Sequence, residues 1–457
     1  MVPEAPPHRS HKVGEALVVF EGMSNLRIKG ILDAAGAIDR DEGPLQHVVI
    51  PASIFPLTAR AGGVFTGGVR AEDGAAVGFA QVRRHDIPMV VTPPESETTA
   101  PAALGLDEAI FGGVLFSGYG HVLLESLNRL WYAVERPELD ILFAGLPGRH
   151  VDASWNLLKA FADLLQIDQN RLKLVVEPTR IKRLHVPQPG LELGLRTSMP
   201  YVRFFRSALR ARYGHIKQLQ RVAYISRARL KGAVRRAFGE SALDHAFDAS
   251  GNAVYWPETL SLDNQIQAFN AHSVYVGFIG SHLHNLMLRY AEGHVDCVYL
   301  CSEAPNLNFL QIDMLFPGQR IYCACARYEP VFEFGNRAPF RIDREAAAQA
   351  FLTAGIDLPL PPLDGTDDTT FIEEWAYLLF FYKVFRPLDL TSETQGAGAA
   401  GRAFHDGILG LLRRLTQQNA DLDALRPALL NAYDRVASAY RRLDQNIVRV
   451  GRALLEV

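Results

Sequence analysis

From Phe111 the chain alternates short apolar runs with amphipathic stretches of helical spacing, and this alternation constrains the fold more than any other feature. "LDILFAG" (Leu139–Gly145) reads as a strand, and "SWNLLKAFADLLQI" (Ser154–Ile167) as a helix capped by Ser154. Two strand-like runs follow, "RLKLVVEP" and "RIKRLHVPQ", then a helix near Tyr201–Gln220 and the strand "RVAYISR". A helix near Ser241–Phe247, the strand "AVYW", the helix "LSLDNQIQAFNAH", the strand "SVYVGFIG", the helix "SHLHNLMLRYA" and the strand "HVDCVYL" complete the series. Strands separated by helices of this length predict an α/β fold, a parallel sheet with helices on both faces. Two such blocks are expected, Phe111–Pro189 and Arg221–Ala326, joined by the long helix between them. Before Pro94 the texture is short strands and turns, and after Pro339 it is helical, with "SETQGAGAAGRA" (Ser392–Ala403) as a link.

A length of 457 residues exceeds one core, so two or three domains are expected. The boundaries fall near 200 and 338, giving segments 1–200, 201–338 and a helical appendage at 339–457. With 48% hydrophobic and 21% charged residues the composition is that of a soluble globular protein. A net charge of −3 gives no reason to expect a nucleic-acid partner. The N-terminal stretch lacks an apolar run long enough for a signal peptide, and "WAYLLFFYKVF" (Trp375–Phe385) is too short to span a membrane. A cytoplasmic location is the expectation. Cys297, Cys301, Cys323 and Cys325 lie in strand-like runs and read as buried free thiols rather than a zinc site.

Four stretches carry candidate chemistry. "GYGHVLLESLNRLWYAVE" (Gly118–Glu135) places Leu123, Leu124, Leu127, Leu130 and Trp131 on an apolar helical face, yet sets His121, Glu125 and Arg129 four apart on one stripe. From the residues alone, a Glu125–Arg129 ion pair explains the stripe as well as a cleft does. "VYVGFIGSHLHNLM" ends a buried strand at Gly277–Phe278. Gly280 then turns into a helix with Ser281 as cap, and His282 and Asn285 lie within its first turn or so. That helix end suits a phosphate. "RVAYISRARLKGAVRR" places Ser226 and Arg227 at another strand end. It lies in a span, Tyr201 to Gly239, that holds eleven Lys or Arg and no acid, which fits a diphosphate partner. A competing use of the helix Tyr201–Gln220 is contact with a membrane surface. Glu258, before the helix of "WPETLSLDNQIQAF", is either a sugar-hydroxyl acceptor or a helix cap.

These motifs, in this order, resemble glycosyltransferase family 61. The family stretch Gly-His-Phe-Leu-x-Glu-x-Leu-x-Arg-Leu-Trp is Gly120 to Trp131 here. Its Tyr-Ile-Ser-Arg is Tyr224–Arg227, and its paired arginine is Arg235–Arg236. Its Asn-Glu is Gly239–Glu240, and its Pro-Glu, Leu and Gln are Pro257, Glu258, Leu262 and Gln265. Its Gly-x-His-Gly-(Ser/Ala)-x-Leu-x-Asn is Gly277, Gly280, Ser281, Leu283 and Asn285, with Ile279 in place of the histidine. The resemblance covers about Phe111 to Leu300. It implies a GT-B-like pair of Rossmann-type domains, with the acceptor on the N-terminal side and a nucleotide sugar on the C-terminal side. It implies inversion at the anomeric carbon without a metal ion or other cofactor. The Asp-x-Asp at Asp39-Arg40-Asp41 reads as a polar turn. On this reading His121, Glu125 and Arg129 are catalytic. Tyr224, Ser226, Arg227, Arg235, Glu258, Gly280, Ser281, His282 and Asn285 contact the donor. The acceptor is a saccharide or lipid-linked saccharide of a capsule-type polysaccharide pathway. The alternative is a degenerate member acting as a binding or scaffold subunit. In the C-terminal helices Leu425, Leu429, Ala432, Val436, Tyr440 and Leu443 share one side, a face expected either to pack on the catalytic domains or to make a homodimer.

Overall fold

The computed structural model describes residues 10–59, 64–85, 87–92, 102–103, 106–146, 151–217, 219, 222–230, 237–302, 304–327 and 340–360. Beyond these it describes 376–377, 380, 406–410, 412–413, 422–439 and 445–456. Two compact units emerge: Met1–Ile225 with Thr259–Tyr299 and Ala304–Tyr322, and Ser226–Glu258 with Leu300–Glu303 and Cys323–Val457.

The first unit is mixed α/β with parallel-sheet elements. One sheet runs in the order Leu172–Val175, Ile141–Gly145, Glu108–Leu115, Thr179–Pro187, His47–Ala59, Phe65–Ala71, Val90–Val91. Its first four strands are mutually parallel. Their apolar side chains, among them Phe111, Leu142, Ala144, Leu184 and Val186, close into one core with Ile54 and Val69 from the strands before Pro94. Burial on both faces makes Ile141–Gly145 a continuous apolar run, which is why it was legible. The antiparallel extension by His47–Ala59 and Phe65–Ala71 was read only as short strands and turns.

In the other sheet the strand Val222–Ile225 runs parallel to Val274–Phe278, with Ile225 opposite Gly277. The order continues through Asp296–Cys301 and Gly318–Ala324 to the hairpin Ala16–Glu21 and Ser10–Val13. Beneath it Asp313 is fully buried and accepts from Arg320 Nε at 2.8 Å and from the Tyr299 hydroxyl at 2.6 Å. The four cysteines are free and buried, as expected, and burial pushes the Cys297 thiol up to about 12.

Several expectations are corrected. Asp39–Asp41 is a strand, not a turn. It pairs in parallel with Arg196–Ser198, and Asp41 takes an ion pair from Arg196 at 3.0 Å. Ser154 lies inside the helix Val151–Leu164 rather than at its start. The basic helix spans Met199–Tyr213 and buries Met199, Tyr201, Val202, Phe205 and Leu209 against the protein. Three of its arginines make ion pairs at the surface: Arg203 with Glu42, Arg210 with Glu292 and Arg212 with Asp163. With its apolar face covered, this helix offers a bilayer no insertion surface. No described helix is long and apolar enough to cross a membrane.

In the second unit, Leu422–Ala439 is a helix whose Leu429, Ala432 and Val436 are buried within the chain, with Tyr433 packed edge-on to Phe380. Of the apolar face read from the sequence, these positions are covered within the chain. Tyr440 and Leu443 lie outside the described residues.

Candidate active site

The segment after the strand Glu108–Leu115 is not one helix. A single α-turn, Tyr119–His121, opens it, with the Gly118 N–H held by the Ser154 hydroxyl at 3.2 Å. A π-turn follows over Val122–Ser126, closed by Leu127 N–H to Val122 C=O at 3.2 Å, and a new helix starts at Leu130. The five-residue step of a π-turn breaks the four-residue register. His121 and Glu125 stay on one side, and Arg129 is rotated off it.

Glu125 is buried at 6% exposure and holds three contacts. Arg84 Nε donates to Oε1 at 2.7 Å and Arg84 Nη2 to Oε2 at 2.7 Å, a bidentate clamp, and His121 Nδ1 lies 2.6 Å from Oε2. Burial by itself would raise the Glu125 pKa. Hydrogen bonds from His121 and Arg84, with the charge of the arginine, outweigh that and hold it below the usual carboxylate range. An ionised Glu125 accepts a hydrogen bond from His121 Nδ1–H, a nitrogen that also lies 3.2 Å from Arg84 Nη2, and in that tautomer Nε2 is the unprotonated nitrogen of a ring whose side chain is 45% exposed.

Arg129 does not join this group. It is 1% exposed and donates to the Phe79 carbonyl through Nε (3.2 Å) and Nη2 (2.6 Å), and to the Gln81 carbonyl at 3.2 Å. Burial brings its pKa down to about 10. The cation that secures Glu125 is Arg84, which the sequence reading missed. Arg84 sits on the two-residue strand Arg83–Arg84, 41 positions upstream, in a polar run with no periodic signal to link it to the helix.

Residues from the second motif meet this turn within the same unit. Ser281–Leu288 is a 3₁₀ helix rather than an α-helix. It follows a Gly280 in extended rather than turned conformation, and no side chain caps it. Ser281 is exposed and His282 half-buried. Asn285 is wholly buried and both ends of its amide are used: Oδ1 accepts from the Tyr119 hydroxyl, and Nδ2 donates to Gln265 Oε1 at 2.8 Å. It braces the His121 turn from 166 positions away and is not turned toward a donor as expected. Gly120 makes the approach possible. A Cβ there would stand 2.8 Å from His284 Nδ1 and 3.1 Å from Ser281 Oγ.

The remaining expected donor residues divide between the units. Tyr224 belongs to the first and is fully buried in its strand. In the second, Ser226 is buried and its hydroxyl accepts from Ala228 N–H at 3.0 Å, while Arg227 N–H donates to Glu240 Oε1 at 2.7 Å. Arg229 lies 3.6 Å over the Trp256 ring, whose Nε1 donates to Asp244 at 2.9 Å. Glu258 is exposed on the 3₁₀ turn Pro257–Thr259, and Arg235 lies outside the described residues. Gly239 stands where the family pattern has Asn. Its φ of 91° is left-handed, a conformation both residues tolerate. Burial raises the Glu240 pKa to about 7 despite Arg227, with Asp244 and Glu258 adding to the rise.

A carboxylate that fixes a histidine tautomer equips the free ring nitrogen to take a proton from a hydroxyl, the step that a group transfer to an alcohol requires. The comparison with known families gives that transfer its class. Residues 119–295 match the family model described as Glycosyltransferase 61. The match begins at Tyr119 and takes in both motifs that meet at Gly120, and the protein is a glycosyltransferase. No curated protein matches the chain.

Proposed function

We propose that the protein is an inverting, metal-independent glycosyltransferase of the GT-B type. On this reading it moves a sugar from a nucleotide-sugar donor to a hydroxyl of a saccharide or lipid-linked saccharide, in the assembly of a bacterial surface polysaccharide on the cytoplasmic side. One observation carries the mechanism: both oxygens of Glu125 are committed to Arg84 and His121. Of the two expected bases, Glu125 is therefore the orienting group and His121 the base. His121 Nε2 takes the acceptor proton as that oxygen bonds to the anomeric carbon, while the bond from that carbon to the phosphate oxygen breaks and the diphosphate leaves. Asp41, the second acid of Asp39-Arg40-Asp41, is held by Arg196 and by the Gly43 N–H at 2.8 Å, which fits a transfer that does not route through that triplet.

The donor class is tested by thermal shift against a panel of nucleotide sugars. Stabilisation by a true donor is about 2.7 kcal/mol at a hundredfold excess over Kd. A melting point unmoved by every member of the panel would remove the nucleotide-sugar reading.

A further inference from the structure

Arg84 reaches Glu125 from a hairpin in which Arg83–Arg84 pairs antiparallel with Ile87–Pro88, Arg84 opposite Ile87. His85 opens the two-residue link between these strands, and such a link calls for a positive φ at its first residue. Its φ is 49°, and among the described residues Gln166 is the other non-glycine in the left-handed region. A conformation of this kind persists where the surroundings over-determine it. Here they are a second hairpin, Leu191–Glu192 against Arg196–Ser198, whose tip is Leu193 to Leu195. His85 N–H donates to the Leu193 carbonyl at 3.0 Å, and Arg84 forms a parallel bridge with Leu193. The His85 ring lies so close over Gly194 that a Cβ there would overlap it. Gln311, 1% exposed, fixes that tip in turn. Its Oε1 accepts from Gly194 N–H at 2.9 Å, and its Nε2 lies within 3.0 Å of the Glu192 and Arg196 carbonyls and the Thr197 hydroxyl. None of these groups takes part in the proton transfer. They hold the backbone beside the guanidinium whose two 2.7 Å bonds clamp Glu125. A bidentate pair is specific in geometry, and a misplacement of about 1 Å in a supporting group can cost about 10²-fold in rate.

We propose that His85 is a positioning residue for the transfer. Its left-handed turn, seated on Gly194, holds the hairpin so that Arg84 meets Glu125 with both nitrogens and Glu125 keeps the His121 ring in place. This rests on the reading of His121 as the base. Gly194 is required at the seat because any side chain there would displace the His85 ring, and Gln311 keeps the seat rigid.

The test replaces the exposed His85 in the full chain. Valine, branched at Cβ, resists a positive φ, whereas asparagine accepts one. His85→Val should lower kcat per folded molecule about 10- to 100-fold at saturating donor and acceptor, with donor Kd unchanged, and His85→Asn should recover most of that loss. In an Arg84→Met background the same valine replacement should cost far less, because the link it acts through is already gone. With ¹⁵N-labelled arginine, the Arg84 Nε–H resonance, assigned by its loss in Arg84→Met, should move upfield in His85→Val and keep its native place in His85→Asn. This readout needs no turnover. Should His85→Val fold poorly, His85→Ala makes the same comparison with less strain. Native kcat in the valine or alanine variant, an equal loss in the native and Arg84→Met backgrounds, or an Arg84 Nε–H resonance left in place overturns the proposal. Failure of the base reading shows separately, as native turnover in His121→Asn.

Discussion

Arg84→Met isolates the arginine that the site geometry singles out. The substitution keeps the apolar stem over the Phe116 ring, 5.2 Å from the guanidinium carbon, and removes the two 2.7 Å donors to Glu125. Stranding one partner of a buried pair costs about 3–5 kcal/mol; Arg84 is 23% exposed and His121 still holds Glu125, so a loss of about 2–3 kcal/mol is expected near neutral pH. The sign with pH follows from Glu125. Its folded pKa lies below the 4.5 of the unfolded chain, so the pair's stabilisation is present above that value and fades as pH falls through the folded pKa. Urea unfolding of both proteins should therefore show the largest difference near neutral pH and a smaller one in acid. A cost that is the same at both, or a variant as stable as the native protein, would refute the clamp.

Two further substitutions probe the surroundings. Gly120→Ala puts a Cβ 2.8 Å from a buried ring nitrogen, so it should cost about 1–3 kcal/mol in thermal unfolding and lower turnover as well; native values in both would show that the contact yields freely. Glu240 has a folded pKa of about 7 against 4.5 unfolded, so stability falls as pH rises between those values and stays lowered above them. Glu240→Gln should then raise stability at about pH 8, on the order of 2 kcal/mol, and change it little at about pH 4; equal effects at both would contradict a buried carboxyl that ionises at a cost.

Much of this was legible because periodicity reports burial. The apolar strands Ile141–Gly145, Val222–Ile225 and Val274–Phe278 were visible as continuous runs, and the structure places each in a sheet. His121 and Glu125 were visible as a pair because a four-residue spacing survives the first turn after Gly120. Arg129 misled because the π-turn at Val122–Ser126 consumes an extra residue, and nothing in "VLLES" marks that step. Arg84 was out of reach because an ion pair between a strand and a turn 41 positions apart leaves no local pattern. Asn285 was read as a ligand contact, since a buried amide brace and an exposed donor contact look alike in sequence; only the positions of Tyr119 and Gln265 separate them.

The central claim is that His121 takes the acceptor proton while Glu125 holds the ring. It is tested most directly by turnover of His121→Asn at saturating donor and acceptor, with donor Kd measured on the same preparation. Loss of the base should lower kcat by about 10²–10⁴ with donor affinity and melting point near native values. Native turnover per folded molecule in His121→Asn would contradict the account and leave the Arg84–Glu125–His121 group a structural clamp.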